Sequence, residues 1–218
     1  MPGSRYIGIM RFNDTHPETF EALERWIATH VVMRFEDNTS LPDGTTFRDL
    51  GTSSAPVIDE LIHMRTTFFH LFKFAHTYGN LGLRRDVMIS LQQLDILFSR
   101  HDKDISPFLE YAYPKLPHSC RLIQYLLWTA AAEFHRNPDH SSRQTQLFHY
   151  QTISKELHKD FMATLGTFQG KLLKEEFRVR LGCLRCVVAW ELGEDDACRF
   201  HEHENNQERA QCVLYYAS

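Results

Sequence analysis

Residues 119–135 read SCRLIQYLLWTAAAEFH, and apolar side chains fall on nearly every side of a helix wound from this sequence. A helix of that composition is buried on all sides, whereas a surface helix is apolar along one stripe only. Pro117 before it and Asn137-Pro138 after it mark its limits. We therefore predict a central core helix, whose buried residues are Leu122, Ile123, Leu126, Leu127, Ala130 and Phe134.

The segments on both sides of this helix predict further helices, most of them with one apolar stripe. Thr15 is the expected N-cap of the first. Gly79 is expected to end the second, and Asn80 to cap the third. The predicted helices cover residues 15–31, 57–78, 80–97, 107–113, 119–135, 154–168 and 171–192.

The first three helices have predicted apolar faces, and the connecting segments are interpreted from their composition. The faces comprise Phe20, Leu23, Trp26, Ile27 and Val31 in the first helix, Leu61, Ile62, Phe68, Phe69, Phe72 and Ala75 in the second, and Leu83, Val87, Leu91, Leu94 and Leu97 in the third.

Residues 137–146 are polar and predicted to be a loop, and Gly170 is expected to separate the last two helices. Strand signals are weak and confined to 6–12 and 31–35. The predicted fold class is mainly α, in a single multi-helix domain.

Composition limits the classes of function. The 218 residues carry a net charge of −4 with a pI near 6.3, which argues against a nucleic-acid surface. No apolar run is long enough for a signal peptide or a membrane span. Five cysteines without a secretion signal indicate reduced thiols, and hence the cytoplasm or nucleus. Sixteen Phe, eight Tyr and three Trp can fill a core or line an apolar pocket.

Several segments together resemble the BTB (POZ) protein family of filamentous fungi. His16-Pro17-Glu18-Thr19-Phe20 with Trp26-Ile27 is similar to a helix of that family, although Ala28-Thr29-His30 departs from its usual turn. The most specific likeness is a helix pair, LFKFAHTY at 71–78 and LRRDVM at 83–88. Two shorter likenesses are Tyr111-Ala112-Tyr113 with Leu116-Pro117 and Arg121-Leu122, and the ending CRFHEH at 198–203.

The resemblance implies a truncated BTB fold with additional C-terminal helices. Residues 1–100 would form a partial BTB-like helical region, and residues 101–218 a helical extension packed on it as one compact unit. The strands and helices with which a BTB domain dimerises and recruits ubiquitin ligases have no counterpart before Arg5, so we expect that N-terminal half to be absent. Helix faces exposed by its absence would be covered by this chain, a second copy, another protein or a ligand.

Thiol and imidazole side chains near the end of the chain suggest a zinc site, because zinc prefers these ligands. One set is Cys198, His201, His203 and Cys212; a second joins Cys183 and Cys186 to Cys198 and His201. The competing interpretation is a solvated polar tail, with Cys183 and Cys186 packed as small apolar residues in a helix. No cofactor is expected, and zinc is the open alternative.

A group of aromatic and polar residues could line an apolar pocket around the central helix. Core packing is the competing role for the aromatic members, and a hydrogen-bonded core position the competing role for His76. The candidates are His76, Tyr78, Tyr111, Tyr113, Gln124, Tyr125 and Trp128. The walls of the pocket would come from residues 68–78, 111–113 and 124–128.

Two functions are consistent with these features. Phosphate-binding, dinucleotide, zinc-protease and serine-hydrolase motifs are absent from the sequence. The favoured hypothesis is a BTB-derived scaffold that acts as a cofactor-independent enzyme of fungal secondary metabolism, such as a cyclase, pericyclase or isomerase, on an apolar small molecule. The alternative is a BTB-like protein-interaction or ubiquitin-ligase adaptor module, which would bind a protein or a second copy through exposed helix faces.

Overall fold

Helices account for most of the structure, which is a computed structural model. It describes residues 17–29, 32, 55–98, 105–136, 139–172, 200 and 206–207. Of these described residues 88% are helical, in seven α-helices and without a strand, so the protein is mainly α as the sequence predicts. None of the helices in the described part combines the length and apolarity that a membrane crossing requires.

Each helix packs on at least one other. The helices are α1 (Pro17–Thr29), α2 (Ala55–Thr77), α3 (Leu81–Phe98), α4 (Ser106–Ala112), α5 (Arg121–Arg136), α6 (His140–Ile153) and α7 (Lys155–Leu172). A 3₁₀ turn, Tyr113–Lys115, follows α4. In the described part, α2 packs against α3, α1 and α4, whereas α7 packs against α5 and α6. Helix α4 also touches α5, so it lies between the two groups.

Helix α5 is the buried helix that the sequence predicts. Its residues from Tyr125 to Ala132 are buried without interruption. The six residues predicted to be buried are all in the core, namely Leu122, Ile123, Leu126, Leu127, Ala130 and Phe134. An all-round apolar sequence thus excludes water from the middle of the helix, as its composition requires.

The turn between α2 and α3 is set by the two residues predicted for it. Gly79 has φ of 68°, a left-handed conformation that glycine adopts without the steric cost that a Cβ would bring. The N–H of Asn80 donates to the Ala75 carbonyl at 2.8 Å, which closes the end of α2. The Asn80 side-chain oxygen then accepts from the N–H of Leu83 at 2.9 Å, so Asn80 caps α3.

Part of the predicted apolar faces was wrong. Phe20 and Ile27 of α1 are exposed, and so is Ile62 of α2. Two members of the predicted α1 face do point inward, since Leu23 is buried and Trp26 packs against the core. Thr19 and Ala22, which were not predicted, complete the inward side of α1. In α2 and α3 the other described members of the predicted faces are buried: Phe68, Phe69, Phe72, Ala75, Leu83, Val87, Leu91 and Leu94.

Two predicted breaks are also wrong. Helix α6 begins at His140, inside the predicted loop, because the Asp139 carboxylate accepts hydrogen bonds from the N–H groups of Ser141 and Ser142. Helix α7 runs through Gly170 to Leu172, where a helix end was predicted. Its start was predicted correctly, and Ser154 caps it by accepting from the N–H of Leu157 at 3.2 Å.

The remaining sequence predictions about secondary structure lie outside the described residues. They concern Thr15, Val31, the side chains of Leu61 and Leu97, the weak strands and the helix beyond residue 172. The division of the chain at residue 100 stays a prediction. Cys120, the cysteine that the described part contains, is buried.

We predict that Leu126→Ala lowers the free energy of unfolding by about 2–5 kcal/mol, because the removed side chain is fully buried and leaves a cavity. Urea or guanidinium denaturation measures the change. The control is Thr145→Ala on the exposed side of α6, which should shift the midpoint far less. Equal effects of the two substitutions would contradict the central position of α5.

Candidate functional site

The predicted pocket residues do not converge on one point. Tyr113, Tyr125 and Trp128 are buried in the core, Gln124 and His76 are half-buried, and Tyr78 and Tyr111 are exposed. Each of the three buried side chains packs or bonds to a different group, as described below. The polar atoms of the candidates therefore face several separate surroundings.

Tyr125 belongs to a buried polar network that joins three helices. Its hydroxyl donates to the Asp95 carboxylate at 2.7 Å. Arg65 approaches the other oxygen of the same carboxylate, with its Nε 3.0 Å away and one terminal nitrogen also in contact. Only 1% of the Asp95 side chain is exposed, so α2, α3 and α5 share one charge pair inside the protein.

Burial and Asp95 together fix the protonation of this network. Burial raises the pKa of Tyr125 well above its ordinary value, and the Asp95 charge raises it further. Burial opposes the charge on Arg65, but attraction to Asp95 outweighs it, and the pKa of Arg65 is raised. The network therefore consists of a neutral phenol and a charged guanidinium around one carboxylate. A phenol with a raised pKa is a weak acid, so Tyr125 serves as a structural hydrogen-bond donor and does not release its proton readily.

The other candidates near α5 and α2 are also occupied within the protein. The Trp128 ring meets Phe168 edge-on at 5.2 Å, and Gln124 bonds to Arg121 at 3.0 Å. The Nδ1 of His76 lies 3.2 Å from a guanidinium nitrogen of Arg84. The Trp128 contact is core packing, and the contacts of Gln124 and His76 are hydrogen bonds between neighbouring helix residues.

The two exposed tyrosines pack on neighbouring rings. Tyr78 leans on Phe74, with ring centroids 4.6 Å apart. The Tyr111 ring meets Phe69 edge-on at 5.1 Å, and its hydroxyl lies 3.4 Å from Nε2 of His70. Both rings therefore pack on phenylalanines of α2.

One half-exposed cluster does bring several titratable groups together, and only Tyr113 of it was predicted. The Tyr113 hydroxyl donates to the Asp160 carboxylate at 2.7 Å. Nδ1 of His118 lies 3.0 Å from the same hydroxyl and 3.6 Å from Asp160. The rings of Tyr113 and His118 stack with centroids 4.0 Å apart and an interplanar angle of 24°. We call these three residues the Tyr–His–Asp cluster.

The Tyr–His–Asp cluster connects the turn after α4 to α7. Burial raises the pKa of Tyr113 above its ordinary value, and the hydrogen bond to Asp160 and the charges of Asp160 and Glu156 add to the shift. The pKa of Glu156 is lowered by hydrogen bonds from its own N–H and from Ser154. Tyr113 is thus a neutral donor beside two carboxylates, while 45% of the His118 side chain reaches solvent.

Sequence reasoning missed His118 and Asp160 for a physical reason. The two residues are separated by α5 and α6, so no periodic pattern links them. The nearest sequence signal was the position of His118 beside Pro117, close to Tyr113. That signal alone does not identify the carboxylate across the fold.

A third polar group fixes the orientation of α6. The Tyr150 hydroxyl lies 2.6 Å from the Ser106 hydroxyl, and the Gln146 amide donates to both at 3.1 Å. The Tyr150 ring is buried against Phe161, with centroids 4.8 Å apart. With Tyr150 turned inward, the opposite side of α6 faces solvent.

That opposite side is an exposed surface without charged side chains. We define the outer face of α6 by six exposed residues, Ser141, Gln144, Thr145, Phe148, Gln151 and Thr152. Phe148, near the middle of this face, exposes 70% of its side chain. Arg143, the one residue of α6 with a permanent charge, is half-buried above the Phe134 ring at 5.9 Å. An aromatic residue amid uncharged neighbours is typical of the centre of a protein interface.

The predicted zinc ligands cannot be placed. Both predicted ligand sets lie outside the described residues. They comprise Cys183, Cys186, Cys198, His201, His203 and Cys212. Within the described part, no three His, Cys, Asp or Glu side chains are grouped as metal ligands would be. The zinc site therefore stays a prediction.

Comparison with known proteins returns nothing for this chain. It matches no protein-family model, no curated protein and no solved structure. The resemblance to the BTB family therefore stays a prediction that rests on the residues quoted above.

We predict that Asp95→Ala lowers the free energy of unfolding by about 3–5 kcal/mol, because it leaves the buried Arg65 charge without its partner. Tyr125→Phe should cost about 1–3 kcal/mol by removing a buried hydrogen bond. Denaturation of both single variants and of the double variant measures the coupling. Strictly additive losses would contradict a shared network.

We predict that the protein loses stability as the pH rises above about 10. In that range the unfolded chain releases a tyrosine proton that buried Tyr125 retains, because its pKa is raised in the folded state. The unfolded state then binds fewer protons, and the free energy of unfolding falls with pH. Denaturation at a series of alkaline pH values should give a steeper fall for the wild type than for Tyr125→Phe, and parallel curves would be inconsistent with this assignment.

Proposed function

We propose that the protein is a helical protein-interaction module and that the outer face of α6 contacts its partner. The observation that carries this proposal is the exposure of Phe148 on a helix face without charges. Aromatic residues that a partner can desolvate fully often supply most of the binding energy of an interface. Charged residues, which are costly to bury, are depleted from interface centres.

The threonines beside Phe148 support the same function. Thr145 Oγ1 donates to the Ser141 carbonyl at 3.0 Å, and Thr152 Oγ1 donates to the Phe148 carbonyl at 2.8 Å. Their hydroxyl protons are therefore already used within the helix. A partner that covers this face leaves neither hydroxyl as an unsatisfied donor, so the main cost of burying polar groups is reduced there.

The placement of the predicted pocket residues favours this function over the small-molecule enzyme. Tyr125, Trp128 and Tyr113 have their rings in the core and their partners at three different places. An active site of the predicted kind needs convergent polar groups around an apolar space. The enzyme hypothesis stays a prediction, and so does a ubiquitin-ligase adaptor role, which depends on the BTB resemblance alone.

The expected partner is a protein surface with an apolar pocket for one aromatic ring and with amide or hydroxyl groups around it. Gln144 and Gln151 flank Phe148 on the outer face and can both donate and accept hydrogen bonds. Because the face is uncharged, we expect binding to depend little on salt, in contrast to binding through charged patches. A second copy of this chain would satisfy the same description.

We predict that Phe148→Glu abolishes binding to the partner while the fold is retained, because a charge at the centre of the face must be desolvated on binding. Sedimentation of the purified protein tests self-association, and quantitative affinity capture from cells that express the protein tests other partners. A change in thermal midpoint of no more than a few degrees would show that the variant is folded.

The matched control is Met162→Glu, which places the same charge at an exposed apolar residue of α7. It should retain whatever association the wild type shows. If Phe148→Glu and the wild type have the same association state and capture the same proteins, the outer face of α6 is not the interface.

A further inference from the structure

We propose that the partner bound by the outer face of α6 is a second copy of this chain, whose α6 lies antiparallel on it across a two-fold axis through Phe148. The inference rests on the proposed interaction function and adds the identity of the partner. The observation that points to it is the order of the exposed residues along α6, where a Gln-Thr pair precedes Phe148 by one turn and recurs one turn after it.

The outer face of α6 has two edges of different chemistry. Gln144-Thr145 and Gln151-Thr152 are seven residues apart, close to two full turns of an α-helix, so residues of the same type lie above one another. One edge of the face therefore carries the two glutamines, and the other edge carries the two threonines. Phe148 lies between the edges and between the two pairs. The two halves of the face thus repeat each other.

An antiparallel copy brings each edge onto the same edge of the other helix. A two-fold axis through Phe148 that lies in the plane of contact, perpendicular to α6, reverses the helix direction but keeps each edge on its side. Gln144 then faces Gln151 of the second copy, and Thr145 faces Thr152 of the second copy. Because an α-helix rises 1.5 Å per residue, the members of each pair differ by only about 1.5 Å in position along the helix axis. The symmetry makes each pair occur twice.

The facing side chains can be buried between two copies at little cost. A primary amide both donates and accepts, so two opposed glutamines can exchange two hydrogen bonds. The hydroxyls of Thr145 and Thr152 donate within α6, to the carbonyls of Ser141 and Phe148, so the threonine edge brings no donor that needs a partner. The two Phe148 rings meet at the axis, and each covers the exposed ring of the other.

The uncharged character of the outer face favours a copy over an unlike partner. A face with a net charge meets the same charge on a second copy, whereas an unlike partner can supply the opposite charge. None of the six residues of the outer face is charged, so a second copy meets no repulsion there. A contact one helix wide belongs to the small class of specific interfaces, below about 1,200 Å² in total. We therefore expect a dimer that dissociates on dilution.

The first test exchanges charges between the facing glutamines and is read by sedimentation equilibrium of the full chain, from micromolar concentration to the limit of solubility. Gln144→Glu with Gln151→Glu places like charges opposite each other and should weaken the dimer at least about tenfold. Gln144→Lys with Gln151→Lys controls for the sign of the added charge and should weaken it as well. Gln144→Glu with Gln151→Lys places opposite charges there and should restore association. Equal association of the three double variants, or a wild type that stays monomeric, would overturn the proposal.

The second test is a disulfide that reports the direction of the helices. In the double variant Thr145→Cys with Thr152→Cys, the two new thiols of one chain are about 10 Å apart along α6, beyond the ~7 Å Cα separation that a disulfide spans. A bond between positions 145 and 152 therefore has to join two copies. We expect this bond under mild oxidation, identified by mass spectrometry of the linked peptides.

The control for the disulfide is Thr145→Cys alone. It should form no bond between two copies of position 145, because these positions lie about 9 Å apart along antiparallel helices. Bonds that join 145 to 145 and 152 to 152, in place of 145 to 152, would show parallel helices and overturn the proposal.

The outcomes separate this inference from the function on which it rests. If the wild type is monomeric but binds another protein that Phe148→Glu loses, the outer face of α6 is an interface for an unlike partner, and the inference alone fails. If Phe148→Glu changes neither association nor capture, the proposed function fails with it. Association that Phe148→Glu abolishes, together with the 145–152 bond, supports both.

Discussion

The Asp95 carboxylate lies where water hardly reaches, and three helices meet on it. Arg65 comes from α2, Asp95 from α3 and Tyr125 from α5, each 30 residues from the next along the chain. A carboxylate buried to this extent is tolerated only with both partners in place. The relative position of α2, α3 and α5 is therefore limited to arrangements in which all three side chains meet.

The exposed features of the protein are positioned through α5. Helix α7 packs on it through aromatic edges, Phe168 on Trp128 at 5.2 Å and Phe161 on Phe134 at 5.6 Å. This packing brings Asp160 of α7 to Tyr113, and the contact of Tyr150 with Phe161 holds α6 on the other side. The helical scaffold thus holds its surface groups at fixed places, as a positioned site requires.

The sequence was sufficient for features that depend on local pattern. The all-round apolar run of α5, the left-handed Gly79 and the Asn80 cap all follow from short-range chemistry, and all are confirmed. Pairings across the fold were not predictable, because Asp95 with Tyr125, or His118 with Asp160, leave no periodic signal.

Helix α6 was missed for a different reason. Its inward side relies on Tyr150 and Leu147, while its exposed residues are polar apart from Phe148 and Ile153. The hydrophobic pattern is therefore weak, and the residues resemble those of a loop. The Asp139 cap supplies the start signal that the pattern lacks. In α1 the exposed Phe20 and Ile27 misled the prediction, because an apolar residue on the surface looks like a core residue in the sequence.

The continuous burial of α5 from Tyr125 to Ala132 has a consequence for the dynamics of the molecule. Every residue of this segment is buried, and the segment lies in the middle of α5, away from the ends where a helix frays. The amide hydrogens of the segment exchange with deuterium only when the surrounding helices separate. The exchange rate of these amides thus reports the opening of the whole helical assembly, whereas the amides of α6 can exchange through local motions.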